Sequence, residues 1–340
     1  MESLKNAIKK IPGSKWVADK IRKSRGNNAS GDWLYTQEIV QWLYRPELKK
    51  QLPAPYRFFS TYAAMQKPFL AHQIFGGARV LKAAMSLNKF SNGSEFVGLD
   101  LGTYKVFLNL RDPRMLQVPN ELLQESDEVA IFKTYLSNGD TFVDVGANHG
   151  SFSIIASKLV GVNGFLCAVE PQPQMAALVE KSLAANAECK FQVHNFACGD
   201  RNGEVEFYIP DSTSGTAGVF PGFSATAPHR KLTVPLKRFD DEIDWNAFPG
   251  KIFLKLDVEG SELAFLRGAG AMISARHPQF LLEINPKSSR AAGVTVESTI
   301  RFLQEMGYEH FIELKNPLKQ ILLREIDTTR QRNVIILAQN

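Results

Sequence analysis

Two acidic residues stand where neighbouring strands of an α/β sheet are expected to end. The apolar run at 141–145 contains Asp144 and opens into a turn bounded by glycines, Gly146–Gly150. A second apolar run at 165–169 is followed directly by Glu170. Glycines permit tight turns, and amides at a helix start favour electron-rich groups. An acid about 20 residues after such a turn can take both hydroxyls of a ribose. These residues predict a site for a cofactor that contains a nucleoside.

The spacing of the glycines indicates which cofactor this is. Dinucleotide sites usually carry Gly-x-Gly-x-x-Gly, whereas three residues separate Gly146 from Gly150 here. Because there is no pyrophosphate to hold, S-adenosylmethionine fits the turn better than a dinucleotide does. Asp144 is expected either to accept a hydrogen bond from the cofactor ammonium or to hold the turn. Asn148 is expected to orient the loop through bonds from its side chain to the backbone.

A second group of ionisable residues follows a later apolar run, at 252–257. Alternation along a strand places Lys255 and Asp257 on one side. Asp257 and Glu259 come where this strand ends, at the edge where open α/β sheets bind ligands. A carboxylate there can remove the proton of a hydroxyl during methyl transfer. Asp257 is the first candidate for this base, and Glu259 is the second. Lys255 is expected to influence the protonation state of both acids. Either acid can instead serve only to shape the turn between the strand and the next helix.

Two alternatives concern the same edge of the sheet. His149 lies inside the glycine turn, and an imidazole there suits base catalysis near neutral pH. Glu283 and Asn285 end the fifth predicted strand beside Asp257, and three oxygen ligands that converge could bind Mg²⁺. Because convergence is a property of the folded chain, no metal ligand is assigned from the sequence.

The elements that must position these residues alternate between strands and helices from about residue 139. Such alternation predicts an α/β fold with a parallel sheet covered on both faces. No helical pattern separates the last two predicted strands, so the sheet is expected to end in an antiparallel piece. The predicted strands are 141–145, 165–169, 191–196, 252–257, 279–284, 309–313 and 333–338.

An N-terminal extension is predicted at 1–110, ahead of a domain at 111–340. It is expected to be mainly helical between 32 and 90, where aromatic residues recur at helical spacing, with a β-hairpin at 95–112. Residues 1–25 contain eight basic residues and two acidic ones. This basic segment is expected to be an amphipathic helix that either docks on its own protein or weakly contacts an anionic membrane surface.

The composition of the chain limits which kinds of partner and which cellular location are expected. The basic segment carries a net charge of +6, which leaves −1 on the rest of the chain, so a nucleic-acid footprint over the remainder is not expected. The three cysteines lack the Cys-x-x-Cys spacing, and we interpret them as reduced thiols. No apolar run reaches the ~18 residues of a membrane span, and no secretory h-region is found. A cytoplasmic location is therefore expected.

The motifs together resemble the FkbM-type family of S-adenosylmethionine-dependent methyltransferases. The family pattern appears as Asp144-Val-Gly-Ala-Asn-His-Gly150, Glu170-Pro171 and Lys255-Leu-Asp-Val-Glu-Gly-Ser-Glu262. The resemblance covers about residues 125–315 and implies a Rossmann-like seven-stranded sheet with an antiparallel last strand. It implies that the cofactor is S-adenosylmethionine.

The resemblance also implies where the cofactor lies. Its methionine and ribose are expected at Asp144, Gly146, Asn148 and Glu170, in a turn that also includes Ala147 and Gly150. Its adenine is expected near the tip of the third strand, at Asn195 and Phe196, although either residue can serve packing alone.

These expectations favour an O-methyltransferase that acts on a hydroxyl of a sugar, glycan or secondary metabolite. The oxygen preference comes from the resemblance and from the acids at the expected site. Two other classes stay open, a nicotinamide-dependent oxidoreductase and a non-catalytic protein that binds S-adenosylmethionine. The predicted partner is a small-molecule or glycan acceptor.

Overall fold

The computed structural model describes most of the C-terminal two thirds of the chain and parts of the N-terminal third. The chain forms two units, Met1–Gln124 and Glu125–Asn340. The domain boundary expected near residue 110 stays a prediction. Among the described residues, no helix combines the length and the apolar character needed to cross a bilayer. The described residues are 26–27, 33–35, 96–101, 103–109, 112, 114, 117–123, 126–210, 214–221 and 229–338.

The first unit has a small sheet with the strand order β1-β2-β3-β4, followed by the helix Val118–Leu123. β3 and β4 pair antiparallel at the place of the predicted hairpin. β2 lies in the region expected to be mainly helical, but it is extended, and its residues Leu34 and Tyr35 pair with β3. The basic segment and the predicted helices at 36–90 lie outside the described residues. The four strands are β1 (Gly26–Asn27), β2 (Trp33–Tyr35), β3 (Phe96–Asp100) and β4 (Lys105–Asn109).

The second unit contains eleven described strands in two sheets. They are β5 (Thr141–Val145), β6 (Phe165–Val169), β7 (Lys190–His194), β8 (Ala197–Cys198), β9 (Gly203–Pro210), β10 (His229–Lys237), β11 (Ile252–Leu256), β12 (Gln279–Ile284), β13 (His310–Glu313), β14 (Gln320–Leu322) and β15 (Arg332–Ile336).

The main sheet has the order β14-β13-β15-β12-β11-β5-β6-β7. The five strands from β12 to β7 are parallel to one another. β15 runs antiparallel to both of its neighbours, which confirms the predicted antiparallel end of a Rossmann-like sheet. β14 pairs with β13 and adds an eighth strand at the edge. Every residue of β5 and β11 is buried, as is typical of central parallel strands.

Helices connect the parallel strands of the main sheet. Ser126 begins the first of them by accepting a hydrogen bond from the Val129 amide, and Thr295 begins the last with a capping box. Capping satisfies amides that a helix start leaves without partners. The helices of this unit are Asp127–Tyr135, Ser151–Leu159, Pro173–Asn186, Phe239–Glu242, Glu262–Gly268, Gly270–Arg276, Pro286–Ala291 and Val296–Glu305.

A small second sheet with the order β8-β10-β9 lies between β7 and β11 in the chain. β7 ends at His194, two residues before its predicted end, because Asn195 bonds to the backbone oxygens of Glu170 and Pro171. β9 and β10 pair antiparallel along their length. Their apolar residues form a separate small core made of Ala197, Phe207, Ile209, Val234 and Leu236.

Packing of the helix Glu262–Gly268 against the backbone beside the second sheet depends on a glycine. A Cβ added at Gly268 would lie 1.9 Å from the carbonyl oxygen of Gly199, whereas a Cβ at Gly270 would meet nothing within 4 Å. We expect Gly268→Ala to lower the free energy of unfolding by about 2 kcal/mol or more, because the backbone must shift. Gly270→Ala should change it by about 0.5 kcal/mol at most. Urea unfolding followed by circular dichroism measures both, and equal stability of the two variants would contradict this packing.

Candidate functional site

The glycine turn joins β5 to the helix Ser151–Leu159 and is held by the neighbouring strand. The amides of Gly146 and Ala147 both donate to the carbonyl oxygen of Val169, at 3.0 and 3.1 Å. Gly146 has a φ of 82°. A Cβ there would lie 2.1 Å from the backbone oxygen of Asp257. Only glycine fits this position, so the turn and the residue after β11 are in close contact.

The middle of the turn is organised by the side chain of Asn148. Its Nδ2 donates to the carbonyl oxygen and to the Oγ of Ser214, at 3.0 and 2.9 Å. Its Oδ1 accepts the His149 amide at 3.0 Å and lies 2.7 Å from Nδ1 of the same buried histidine. That contact favours the tautomer protonated at Nδ1. Gly150 then begins the helix with a φ of 75°.

Glu170 follows β6, and its carboxylate folds back onto the turn. One oxygen accepts the Asn148 amide at 2.8 Å and the other accepts the Gln172 amide at 2.9 Å. Burial raises the pKa of Glu170 to about 7, and these two amide bonds oppose the rise. Each carboxylate oxygen has a second lone pair that a ribose hydroxyl can use. Glu170 therefore stabilises the turn and keeps acceptor capacity for a ligand.

The residues expected near the adenine lie beside Glu170 in the chain. Asn195 is exposed, and its Nδ2 donates to the backbone oxygens of Glu170 and Pro171 at 2.8 and 2.9 Å. Phe196 is buried in the main core, and its ring centroid lies 5.9 Å from that of His194. Contacts of Asn195 and Phe196 with an adenine stay predictions.

A buried ion pair lies beneath the turn. Asp144 is fully buried, with Oδ1 3.2 Å from Nζ of Lys255 and Oδ2 accepting from Oγ of Ser153 at 2.6 Å. Lys255 Nζ also donates to the Gly146 carbonyl oxygen at 3.3 Å and lies 3.9 Å from a carboxylate oxygen of Asp257. Of the two expected roles of Asp144, this geometry fits holding the turn. Lys255 joins the turn to the acids at the end of β11.

Three carboxylates meet at the ends of β11 and β12. Asp257, Glu259 and Glu283 each place one oxygen within 4.8 Å of the other two. Glu259 has a left-handed φ of 50°, and its Oε2 accepts from Oγ of Ser288 at 2.9 Å. Glu283 Oε1 accepts from Nε2 of Gln331 at 2.7 Å. Like charges this close disfavour the ionised form of a carboxylate, and the effect is resolved at Glu283.

The environments of these acids differ. The Asp257 side chain is 43% exposed. Burial raises the pKa of Glu283 to about 9, with further contributions from the charges of Asp257 and Glu259.

Asn285 lies just outside this group. Its Oδ1 accepts the Ser288 amide at 3.2 Å, and this bond caps the start of the helix Pro286–Ala291. Its Nδ2 is 3.5 Å from Glu259. The set that converges is thus not the set considered for Mg²⁺ in the sequence, because Glu259 takes the third place.

Glu262 shapes the turn after β11. Its Oε1 accepts the amides of Val258 and Gly260, at 3.3 and 3.1 Å. Burial raises its pKa to about 7. Ser214 lies in the small, polar and glycine-rich segment Pro210–Gly222, whose composition is typical either of a loop at the substrate mouth or of a flexible connection, and nothing in the sequence singles out this serine within it. Glu283 was considered only as a metal ligand, and its position at the end of a strand was the available signal.

A parallel sheet with an antiparallel end, a glycine turn and an acid after the next strand define a protein of the S-adenosylmethionine-dependent methyltransferase class. Residues 144–310 match the family model described as the methyltransferase FkbM domain. Over these residues the chain is similar to the FkbM family of these methyltransferases, and its cofactor is S-adenosylmethionine. This confirms the resemblance carried by the three motifs and sets the nicotinamide alternative aside.

Several solved structures are similar to the chain at low identity. FkbM methyltransferase from Methylobacillus flagellatus KT is 19% identical over 66% of this chain and 53% of that chain, with a TM-score of 0.36. Precorrin-6y C5,15-methyltransferase from Geobacter metallireducens GS-15 is 16% identical over 63% and 88%, with a TM-score of 0.34. A SAM-dependent O-methyltransferase from Thermotoga maritima is 12% identical over 74% and 80%, with a TM-score of 0.33. The chain thus spans about half of the first structure. No curated protein matches it.

The ion pair beneath the turn makes a prediction about stability. We expect Lys255→Met to lower the free energy of unfolding by about 3 kcal/mol or more, because the buried carboxylate of Asp144 loses its cation. Adding Asp144→Asn should restore part of this loss. Urea unfolding at neutral pH measures both variants, with the exposed Lys251→Met as the control. A double variant less stable than Lys255→Met would show that charge compensation is not the reason.

Glu283 makes a prediction about pH. Its pKa is raised on folding from 4.5 to about 9, so the folded chain holds a proton that the unfolded chain releases. The stabilising contribution of this proton is fully present below pH 4.5 and is lost as the pH rises from 4.5 to about 9. We expect Glu283→Gln to match the wild type near pH 5 and to exceed it in melting temperature near pH 8.5. The control Glu309→Gln, at an exposed position, should show no such pH dependence. A difference in melting temperature between Glu283→Gln and the wild type that is the same at both pH values would refute the raised pKa of Glu283.

Proposed function

We propose that the protein transfers the methyl group of S-adenosylmethionine to a hydroxyl oxygen of a sugar, glycan or secondary metabolite. The contact between the turn and the residue after β11 carries this proposal. The Gly146 backbone passes so close to Asp257 that a Cβ would lie 2.1 Å from its carbonyl oxygen. An acid thus stands directly beside the turn that serves the cofactor in this family.

The acids have distinct roles in the proposed reaction. The bound cofactor supplies an electrophilic methyl group, and transfer to an alcohol requires that the hydroxyl lose its proton as the new bond forms. Asp257 is the base, since its side chain is 43% exposed beside the turn, with Lys255 Nζ 3.9 Å away as an opposite charge. Glu259, held by Ser288, orients the hydroxyl. This division follows from exposure and hydrogen bonding rather than from residue type.

His149 is assigned a different part. Its ring is buried, and Nδ1 lies against the side-chain oxygen of Asn148 at 2.7 Å. A base must reach the acceptor hydroxyl, and a ring held inside the turn is less suited to this than a half-exposed carboxylate. We assign His149 to shaping the turn and keep it as the second candidate for the base.

The proposal extends to the acceptor and to the rest of the chain. We propose a small-molecule or glycan acceptor and no nucleic acid, because the chain outside residues 1–25 has a net charge of only −1. Residues 111–340 form the proposed catalytic domain, and residues 1–110 an extension whose basic segment makes weak contact with a membrane surface. A cytoplasmic location is supported by the cysteines, which are buried free thiols.

Calorimetric titration with S-adenosylmethionine and S-adenosylhomocysteine tests the cofactor site. We expect the wild type to bind both, and Glu170→Ala to bind both at least about tenfold more weakly, because the turn loses an amide acceptor and the ribose loses its carboxylate. Glu180→Ala, exposed on the helix Pro173–Asn186, is the control. Unchanged binding by Glu170→Ala would remove this residue from the site.

The base is tested in the same preparation with methyl-labelled cofactor and a panel of hydroxyl-bearing sugars and phenols. Asp257→Asn should bind S-adenosylhomocysteine like the wild type while methyl transfer falls by about 100-fold. Mass spectrometry of the product locates the methyl group. A methyl group on nitrogen or carbon would overturn the assignment to oxygen, and full activity of Asp257→Asn would overturn the role of Asp257.

A further inference from the structure

The segment Ser214–Pro221, between β9 and β10, lies outside the three motifs of the family yet belongs to the site. It begins with a short 3₁₀ turn at Ser214–Thr216. Gly218 then pairs with Tyr208 of β9 through two backbone hydrogen bonds of 2.8 and 3.1 Å. The small second sheet therefore holds the backbone of this segment in place.

At the cofactor half of the site, the segment is bonded to the glycine turn. Ser214 is buried, and both its carbonyl oxygen and its Oγ accept from Nδ2 of Asn148, at 3.0 and 2.9 Å. Oγ of Ser214 is also 3.2 Å from Oδ1 of Asn148. The whole amide group of Asn148 is thus engaged by one residue of another loop and by His149.

Asn148 needs this support because of its backbone. Its φ is 52°, a left-handed conformation that costs a non-glycine residue energy unless the surroundings hold it. In that conformation its amide donates to Oε2 of Glu170 at 2.8 Å. The bonds from Ser214 to the Asn148 side chain therefore fix the amide that orients the Glu170 carboxylate.

At the acid half of the site, the same segment touches the end of β11. A Cβ added at Gly218 would lie 3.2 Å from Cβ and 3.4 Å from the carbonyl oxygen of Glu259. Only three residues thus separate Ser214, which contacts the cofactor turn, from Gly218, which lies against the acid cluster. The segment therefore connects the glycine turn, which is the cofactor half of the site, to the acids after β11, which are the acid half.

We propose that Ser214 is a positioning residue for the cofactor, acting through Asn148 on the turn and on Glu170. The proposal rests on the proposed function, in which this turn binds S-adenosylmethionine. It places the connection between β9 and β10 in the cofactor site, next to the acids that serve the acceptor. A purely structural serine would contribute to folding and leave the affinity for the cofactor unchanged.

Calorimetry with S-adenosylhomocysteine tests the proposal on the full chain. We expect Ser214→Ala to weaken binding by about three- to tenfold, the usual effect of losing one or two hydrogen bonds. Thr216→Ala is the matched control, since Thr216 is exposed on the same short turn. Thermal unfolding of both variants without ligand reports any loss of stability separately.

A double-variant cycle shows whether Ser214 acts through Asn148. Asn148→Gly removes the side chain while permitting the left-handed φ. On that background Ser214→Ala should cause no further loss of affinity. If the two substitutions weaken binding independently, so that the fold-losses of affinity multiply, Ser214 does not act through Asn148. If Ser214→Ala does not fold, Ser214→Cys keeps a similar volume with a weaker acceptor, and the same comparison applies.

The outcomes separate this proposal from the proposed function. A wild type that binds no S-adenosylhomocysteine refutes the cofactor assignment itself. A wild type that binds it, with Ser214→Ala binding equally well, refutes the role of Ser214 alone.

Discussion

The ion pair between Asp144 and Lys255 is the interaction on which both halves of the site depend. The two residues stand directly opposite each other in the parallel pairing of β5 with β11. β5 leads into the cofactor turn and β11 leads into the acids. A charge buried without its partner is strongly destabilising, so each residue requires the other. Because Lys255 also reaches the Gly146 carbonyl and approaches Asp257, one ammonium group sets the distance between the turn and the first acid.

The turn above this pair is held in place by contacts within the protein. Gly146, Asn148 and Gly150 all have positive φ values, and the amides of Gly146, Ala147 and Asn148 donate to groups at the end of β6. Glu170 is both a support of the turn and the expected ribose acceptor. Its burial and its two amide bonds act on its pKa in opposite directions. A site whose groups are already held loses less entropy when it binds its ligand.

The acid cluster shows how position divides roles among chemically similar side chains. Asp257 reaches solvent, Glu259 is bonded to Ser288, and Glu283 is buried with a pKa raised to about 9. Burial of the Glu283 carboxylate and the nearby charges of Asp257 and Glu259 favour a proton on Glu283. Separation of pKa values within a group of acids is the general basis for assigning acid and base functions.

The sequence by itself determined the fold class, the strands of the main sheet and the acids at their ends. The predicted bounds of β5, β6 and β12 are those of the structure, because apolar runs bounded by turns encode buried strands locally. Even the antiparallel end followed from the missing helix before β15. Only the tertiary structure decided which side chains meet: Asp144 finds Lys255 through strand register, Glu283 joins Asp257 and Glu259 through the neighbouring strand, and Ser214 reaches Asn148 across 66 residues. The reason is that periodicity reports burial and backbone conformation, whereas a partner depends on long-range pairing and on the path of a loop.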